Sequence, residues 1–326
     1  QLACEVFSAG QACVQPLSGH VAAMIVIASN TIRGDSLASI SADDGGYDGY
    51  GDGYLPDILD LRAVHLPFDR EHHNLDADRA AEMIRTEKPR LVILGASFIL
   101  FPYEMGPIKD ACEDSGSVLA YDASHVLGLV AGGEFQRPIK EGAEVLYGST
   151  HKTFFGPQGG LIVTDRLDIM ESVEKNLTWR FVDNAHWNRI AALGQALLEM
   201  KEFGSSYAKQ VVANAKALGK ALSEKGFPIM FEELGFTESH QLLIDREEVN
   251  RKYGCSINDL SVILEKSNII IDSVGRLGIA EATRLGGVEK EMTEIADMFI
   301  SAIEGKDMAE KVQEFRSAKK MKFVFD

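Results

Sequence analysis

Cysteine is scarce in this chain. The four residues in 326, Cys4, Cys13, Cys112 and Cys255, show no paired spacing. A disulfide framework and a cysteine-built metal site are therefore not expected, and a reduced, cytoplasmic location is. Basic residues are in deficit, with 33 Lys and Arg against 49 Asp and Glu and a net charge of −16. Non-specific nucleic-acid binding needs basic patches, so no nucleic-acid partner is expected, although the balance leaves room for one local anion pocket. Long apolar runs are missing too. The most apolar, VAAMIVIA (Val21 to Ala28), falls well short of the roughly 20 residues that span a bilayer. No signal-peptide pattern precedes it, and no membrane partner is expected. A glycine-rich dinucleotide fingerprint after a leading strand is absent. His72 and His73 have no further ligand at metal spacing, so they read as a solvated loop and no metal is expected. The chain opens on Gln1 and enters periodic sequence at once, which leads us to expect a preceding segment.

What is present suggests one large domain and a smaller one, since 326 residues exceed a single small core. Short apolar runs at RLVILGA (90–96), SVLAYDAS (117–124), AEVLYGS (143–149) and GGLIVTD (159–165) read as buried strands. Helical patterns such as GPIKDACEDSG (106–116), with its glycine stop, separate them. Strands buried on both faces and divided by helices predict an α/β fold with a mostly parallel sheet and helices on both faces. ISADDGGYDGYGDGYLPD (40–57) reads as an irregular loop. We expect the large domain over 1–184 and two connecting helices over 185–225. A smaller α+β domain over 226–326 should follow, with strands at FPIMFEEL, SHQLLID and NIIID.

The chemistry gathers at predicted strand ends. Lys152 follows one, and Asp122 and His125 follow another, which is where open α/β sheets bind ligands. A lysine amine with a carboxylate partner is what pyridoxal phosphate requires: the amine for a Schiff base, the acid for the pyridinium nitrogen. Either Asp122 or His125 alone could simply cap a turn; beside STHK they point to the cofactor. Ser18, Gly19 and His20 stand before an apolar helical run, and a helix start with free N–H groups suits a phosphate. Ser149 and Thr150 could add hydroxyl contacts.

DASHVLGLVAGG followed by GSTHKTFFGPQGGLIV resembles serine hydroxymethyltransferase, a family of fold-type I, aspartate aminotransferase-like pyridoxal phosphate enzymes. The pattern is Asp-x-x-His before Gly-Leu-Val-Ala, then Thr-His-Lys and Gly-Pro-x-Gly-Gly. VQPLSG is similar to the family's phosphate-binding turn, TESHQLLID to a family strand, and SVGRLGIAEATRLG to the segment with the substrate-carboxylate arginine. The resemblance implies that Lys152 carries the Schiff base, Asp122 pairs with the pyridine nitrogen, and His125 lies beside the ring. It implies that Ser18 and Gly19 bind phosphate, that Ser97 lies near the cofactor, and that Arg276 forks onto an amino-acid carboxylate. His151 precedes the lysine as in the family. A reduced, folate-type pterin cosubstrate and a homodimer or higher homo-oligomer are implied as well.

The chain departs from the family pattern in places. Tyr47 follows Gly45-Gly46 where the family has a histidine stacked on the cofactor, and His20 stands where a second serine is usual. FVDNAH replaces the glycine pair that reaches a partner subunit, and the loop between NIIID and SVGR is short. The family's N-terminal arm, with its catalytic glutamate and tyrosines, has no counterpart. Three functions are weighed: a hydroxymethyltransferase acting on serine and glycine; a pterin-independent pyridoxal phosphate enzyme (β-hydroxy amino-acid aldolase, aminotransferase or racemase); and a non-catalytic binding protein on the same fold. Arg284 is left between an anion contact and plain surface.

Overall fold

The computed structural model describes residues 1–325. The chain forms two compact units, the first over Gln1–Ser205 and the second beginning at Ser206.

The first unit carries strands β1 (Gln11–Cys13), β2 (Ser36–Ile40), β3 (Arg62–Leu66), β4 (Phe68–Asp69), β5 (Asn74–Leu75), β6 (Leu91–Leu94), β7 (Val118–Asp122), β8 (Val145–Ser149) and β9 (Gly160–Thr164). Seven form one sheet in the order β1-β9-β8-β7-β6-β2-β3, while β4 and β5 pair separately. From β3 to β8 every pairing is parallel; β9 runs antiparallel to both β8 and β1. The architecture is thus the mostly parallel α/β sheet expected. The sequence reading missed β1, β2 and β3, whose runs are short or carry polar residues.

Burial explains the parallel order. Leu37, Leu91, Ile93, Ala120, Val145 and Ile162 share one core with Ala22, Ile25 and Val26 of the helix Gly19–Asn30. The alternate residues Val92, Leu94, Leu119, Tyr121 and Leu146 are also at most 1% exposed, so both sheet faces are covered, as parallel sheets require. Each such Val, Leu or Ile side chain contributes about 1.5–3 kcal/mol relative to exposure. The helix Gly19–Asn30 is apolar on most of its circumference because it is buried. Its start is fixed by Ser18, whose hydroxyl accepts from Val21 N–H at 3.1 Å.

Some predicted elements differ. The two connecting helices are one 38-residue helix, Trp187–Glu224. The apparent break at Gly204 costs only about 1 kcal/mol, and buried Leu193, Leu197 and Met200 before it, with Ala208, Val211 and Ala215 after it, outweigh that. In the second unit, β10 (Gln241–Leu243) pairs antiparallel with β11 (Arg276–Gly278). NIIID is not a strand: Ile270 is 86% exposed, and Asp272 accepts from Val274 and Arg276 N–H in a turn that delays the strand to Arg276. FPIMFEEL yields one bridge, Ile229 to Ile244, and a 3-10 turn at Glu232–Leu234. Phe231, at φ 63°, ends any extended run there. The second unit also carries the helix Ile257–Glu265, with a Ser256–Asp259 capping box, and the helix Glu289–Ile303. Among the described residues no helix is long and apolar enough to cross a membrane.

Candidate active site

The carboxyl ends of β6, β7 and β8 each hand polar residues to one cleft. Past β6 come Ala96 and Ser97; at and after β7 come Asp122, Ser124 and His125; at and after β8 come Ser149, His151 and Lys152. Ser18, Gly19 and His20 at the helix start and Tyr47 from the glycine-rich loop complete the lining. Ten of the eleven predicted site residues are thereby brought together. Arg276, the eleventh, is on β11 of the second unit, where its Nε lies 3.0 Å from Asp272 Oδ2. Arg284, also in that unit, donates to the carbonyls of Lys322 and Phe323, so it holds the tail.

Asp122 is held from two sides. Its Oδ2 accepts from the Tyr50 hydroxyl at 2.5 Å, and its Oδ1 accepts from Ser124 N–H at 2.9 Å. Lys152 Nζ lies 3.1 Å from His125 Nε2. Lys152 is exposed to the cleft, so no burial cost attaches to its ammonium; it lies three residues beyond β8, outside the core. The His125 carbonyl accepts from Thr153 Oγ1 at 3.0 Å, tying the lysine loop to the end of β7. His20 Nδ1 and Tyr47 Oη are 2.8 Å apart. Partial burial, then the Lys152 ammonium, hold the His151 imidazole below its ordinary pKa. Burial, then Asp122 and Asp48, hold the Tyr47 phenol above its own.

Two glycines bring the backbone close. A Cβ at Gly19 would lie 2.1 Å from Ser149 Oγ, and one at Gly160 would lie 2.4 Å from the Ser18 carbonyl. The Ser18–Gly19 turn thus packs against the end of β8 and the start of β9 with no room for a side chain, which sets a helix N-terminus beside the hydroxyls of Ser18 and Ser149. That donor set fits a phosphate. Lys152 and Asp122 supply the amine and carboxylate that a pyridoxal ring needs. His72 and His73 serve structure: His72 Nδ1 pairs with Asp69 at 2.7 Å, and His73 Nε2 is 3.1 Å from the Phe98 carbonyl.

Sequence reasoning overlooked Ser124, Tyr50 and Tyr147. Ser124 stands at a variable position of the Asp-x-x-His pattern, so the pattern gives it no signal; its hydroxyl accepts from Ser149 N–H at 3.2 Å. The two tyrosines gave no polar signal, one being in an irregular loop and the other in a buried strand.

A sheet of this order with a ligand cleft at its carboxyl edge is the scaffold of fold-type I pyridoxal phosphate enzymes. A crystal structure of L-threonine transaldolase from Pseudomonas fluorescens, in its internal aldimine state, superposes with a TM-score of 0.88 at 27% identity, over all of this chain and 77% of that one. The protein is in that class. The family model described as serine hydroxymethyltransferase matches residues 1–299. Serine hydroxymethyltransferase of Methanocaldococcus jannaschii is 43% identical, over 96% of this chain and 76% of that protein. The Archaeoglobus fulgidus enzyme of the same name is 39% identical over 96% and 74%. This chain belongs to the serine hydroxymethyltransferase family, and with it to the pyridoxal phosphate-dependent transferases.

Proposed function

We propose that this cleft binds pyridoxal phosphate and that the chain moves a one-carbon unit between serine and glycine, with a reduced pterin as carrier. The observation that carries this reading is the meeting of Lys152, Asp122 and the Ser18–Gly19 helix start in one cleft. Lys152 would hold the cofactor through its amine. Ser18, Gly19 and Ser149 would take the phosphate with backbone N–H and hydroxyl donors, helped by the helix dipole. Asp122 would face the ring nitrogen and keep it protonated. Bound pyridoxal phosphate supplies an electron sink for the charge left when a bond to Cα breaks. His125, 3.1 Å from the Lys152 amine, is set to pass a proton at that nitrogen. Tyr47 offers a ring to stack on the cofactor, hydrogen-bonded to His20; Ser97 and His151 line the same cleft. Arg276 is the guanidinium with the planar fork a substrate carboxylate favours. A homodimer, in the cytoplasm, is part of the same reading.

Purified protein incubated with pyridoxal phosphate should turn yellow and form a borohydride-stable adduct on Lys152. Serine cleavage should then require a reduced pterin. A colourless protein without the adduct would mean a non-catalytic binding protein. The short loop between NIIID and SVGR and the altered phosphate turn at His20, together with the likeness to an L-threonine transaldolase, favour one further reading: a pterin-independent aldolase or transaldolase on β-hydroxy amino acids. Pterin-independent turnover of such a substrate, with no serine cleavage, would select it.

A further inference from the structure

Two buried tyrosines stand behind the cleft without an assigned role. Tyr50 is 1% exposed and Tyr147 is fully buried. A phenylalanine would fill either site without burying a hydroxyl, and a buried hydroxyl is unfavourable unless bonded. Both are bonded: Tyr50 Oη lies 2.6 Å from Tyr147 Oη and 2.5 Å from Asp122 Oδ2. The direction follows from the number of protons. A carboxylate only accepts, so the single Tyr50 proton goes to Asp122, and Tyr147 must donate its own to Tyr50. Backbone register sets the pair up, because Tyr147 on β8 lies directly beside Asp122 on β7. The loop delivers Tyr50 by a constrained path: a Cβ at Gly46 would lie 2.0 Å from the Ile40 carbonyl, so only glycine allows that close turn. The Tyr47 ring then meets Tyr50 edge-on, with centroids 5.2 Å apart.

We propose that Tyr147 and Tyr50 form a buried donor relay that fixes the Asp122 carboxylate in orientation against the cofactor's ring nitrogen, making both phenols positioning residues for the reaction. Hydrogen bonds to the charged form of an acid favour that form, and a chain of two donors polarises each bond further. Burial first, then the Asp122 charge, pushes both phenols well above their ordinary pKa, so they remain neutral donors. Without the relay, the carboxylate would no longer be held toward the ring nitrogen, which would lose the partner that favours its protonated form. The relay rests on the cofactor placement proposed above.

The test uses protein stripped of cofactor and reconstituted with pyridoxal phosphate labelled with nitrogen-15 in the ring. The nitrogen resonance and the cofactor Kd are both read. In the unaltered protein the resonance should lie at the protonated end. Tyr50→Phe should move it toward the neutral end and raise Kd about tenfold, the scale of one lost charge-assisted bond. Tyr147→Phe should act in the same direction by less, and the double variant should be no worse than Tyr50→Phe alone. If Tyr50→Phe does not fold, Tyr147→Phe decides by itself. Singles that leave the resonance where it was, even with weaker cofactor binding, mean plain packing and overturn the relay, as do losses that simply add in the double variant. An unaltered protein that takes up no cofactor overturns the placement and the relay together, whereas one that binds while its variants keep its resonance overturns the relay alone.

Discussion

The two rims of the central sheet use charge in opposite ways. At the amino rim charges are neutralised where they stand. Arg166 pairs with Glu144 and Asp168, Lys109 with Glu113 at 3.2 Å, Arg62 with Glu87 at 3.0 Å, and Arg33 with Asp60 at 3.0 Å. Arg90 donates to the carbonyls of Asn30 and Gly116, tying two crossover segments to the sheet. At the carboxyl rim Asp122 is held by a phenol and a backbone amide, and Lys152 stands beside an imidazole. Paired, solvated ions add little stability and are screened by salt. A carboxylate held by neutral donors keeps its charge for a ligand. The same strands therefore end in mutually paired surface ions at one rim and in a carboxylate held by neutral donors at the other.

Substitutions at the two rims should differ by orders of magnitude in activity. Lys152→Ala should abolish the borohydride-trapped adduct, read by mass spectrometry, and lower turnover on the order of 10³-fold or more. Asp122→Asn keeps the shape but loses the charge; kcat should fall about 10²–10³-fold, the scale seen when one preorganised electrostatic contact is lost. Gly160→Ala forces the Ser18 carbonyl back. Overpacking of this kind costs about 1–3 kcal/mol, which should appear as a weaker cofactor Kd in fluorescence titration, with kcat at saturating cofactor less affected. Arg166→Ala at the amino rim should cost at most about 1 kcal/mol in urea unfolding and leave kcat unchanged. A large activity loss there would break the comparison between the rims.

Much of this could be read without coordinates. The apolar runs at 91–94, 118–122, 145–149 and 160–164 were legible as strands because burial on both faces leaves a continuous hydrophobic signature. Lys152, Asp122 and His125 were legible because strand ends collect ligands and because their spacing resembles a known family. The edge strand β3 was not legible: it carries Arg62 and His65, and its pairing with β2 supplies what its composition does not. The 38-residue helix was not either, since one glycine looks like a stop until packing on both sides is known. In the second unit β11 was displaced from the apolar NIIID to the mixed RLG, because Asp272 turns the chain first.

The sequence by itself determined the α/β class through periodicity and residue type, and the cofactor chemistry through Lys152, Asp122 and the helix start at Ser18; others of the ten cleft residues came from the resemblance of its motifs to a known family. Only the tertiary structure decided that Tyr147 and Tyr50, 97 residues apart, meet behind Asp122. A hydroxyl's partner is fixed by strand register and loop path, and neither leaves a trace in the composition of the segments involved.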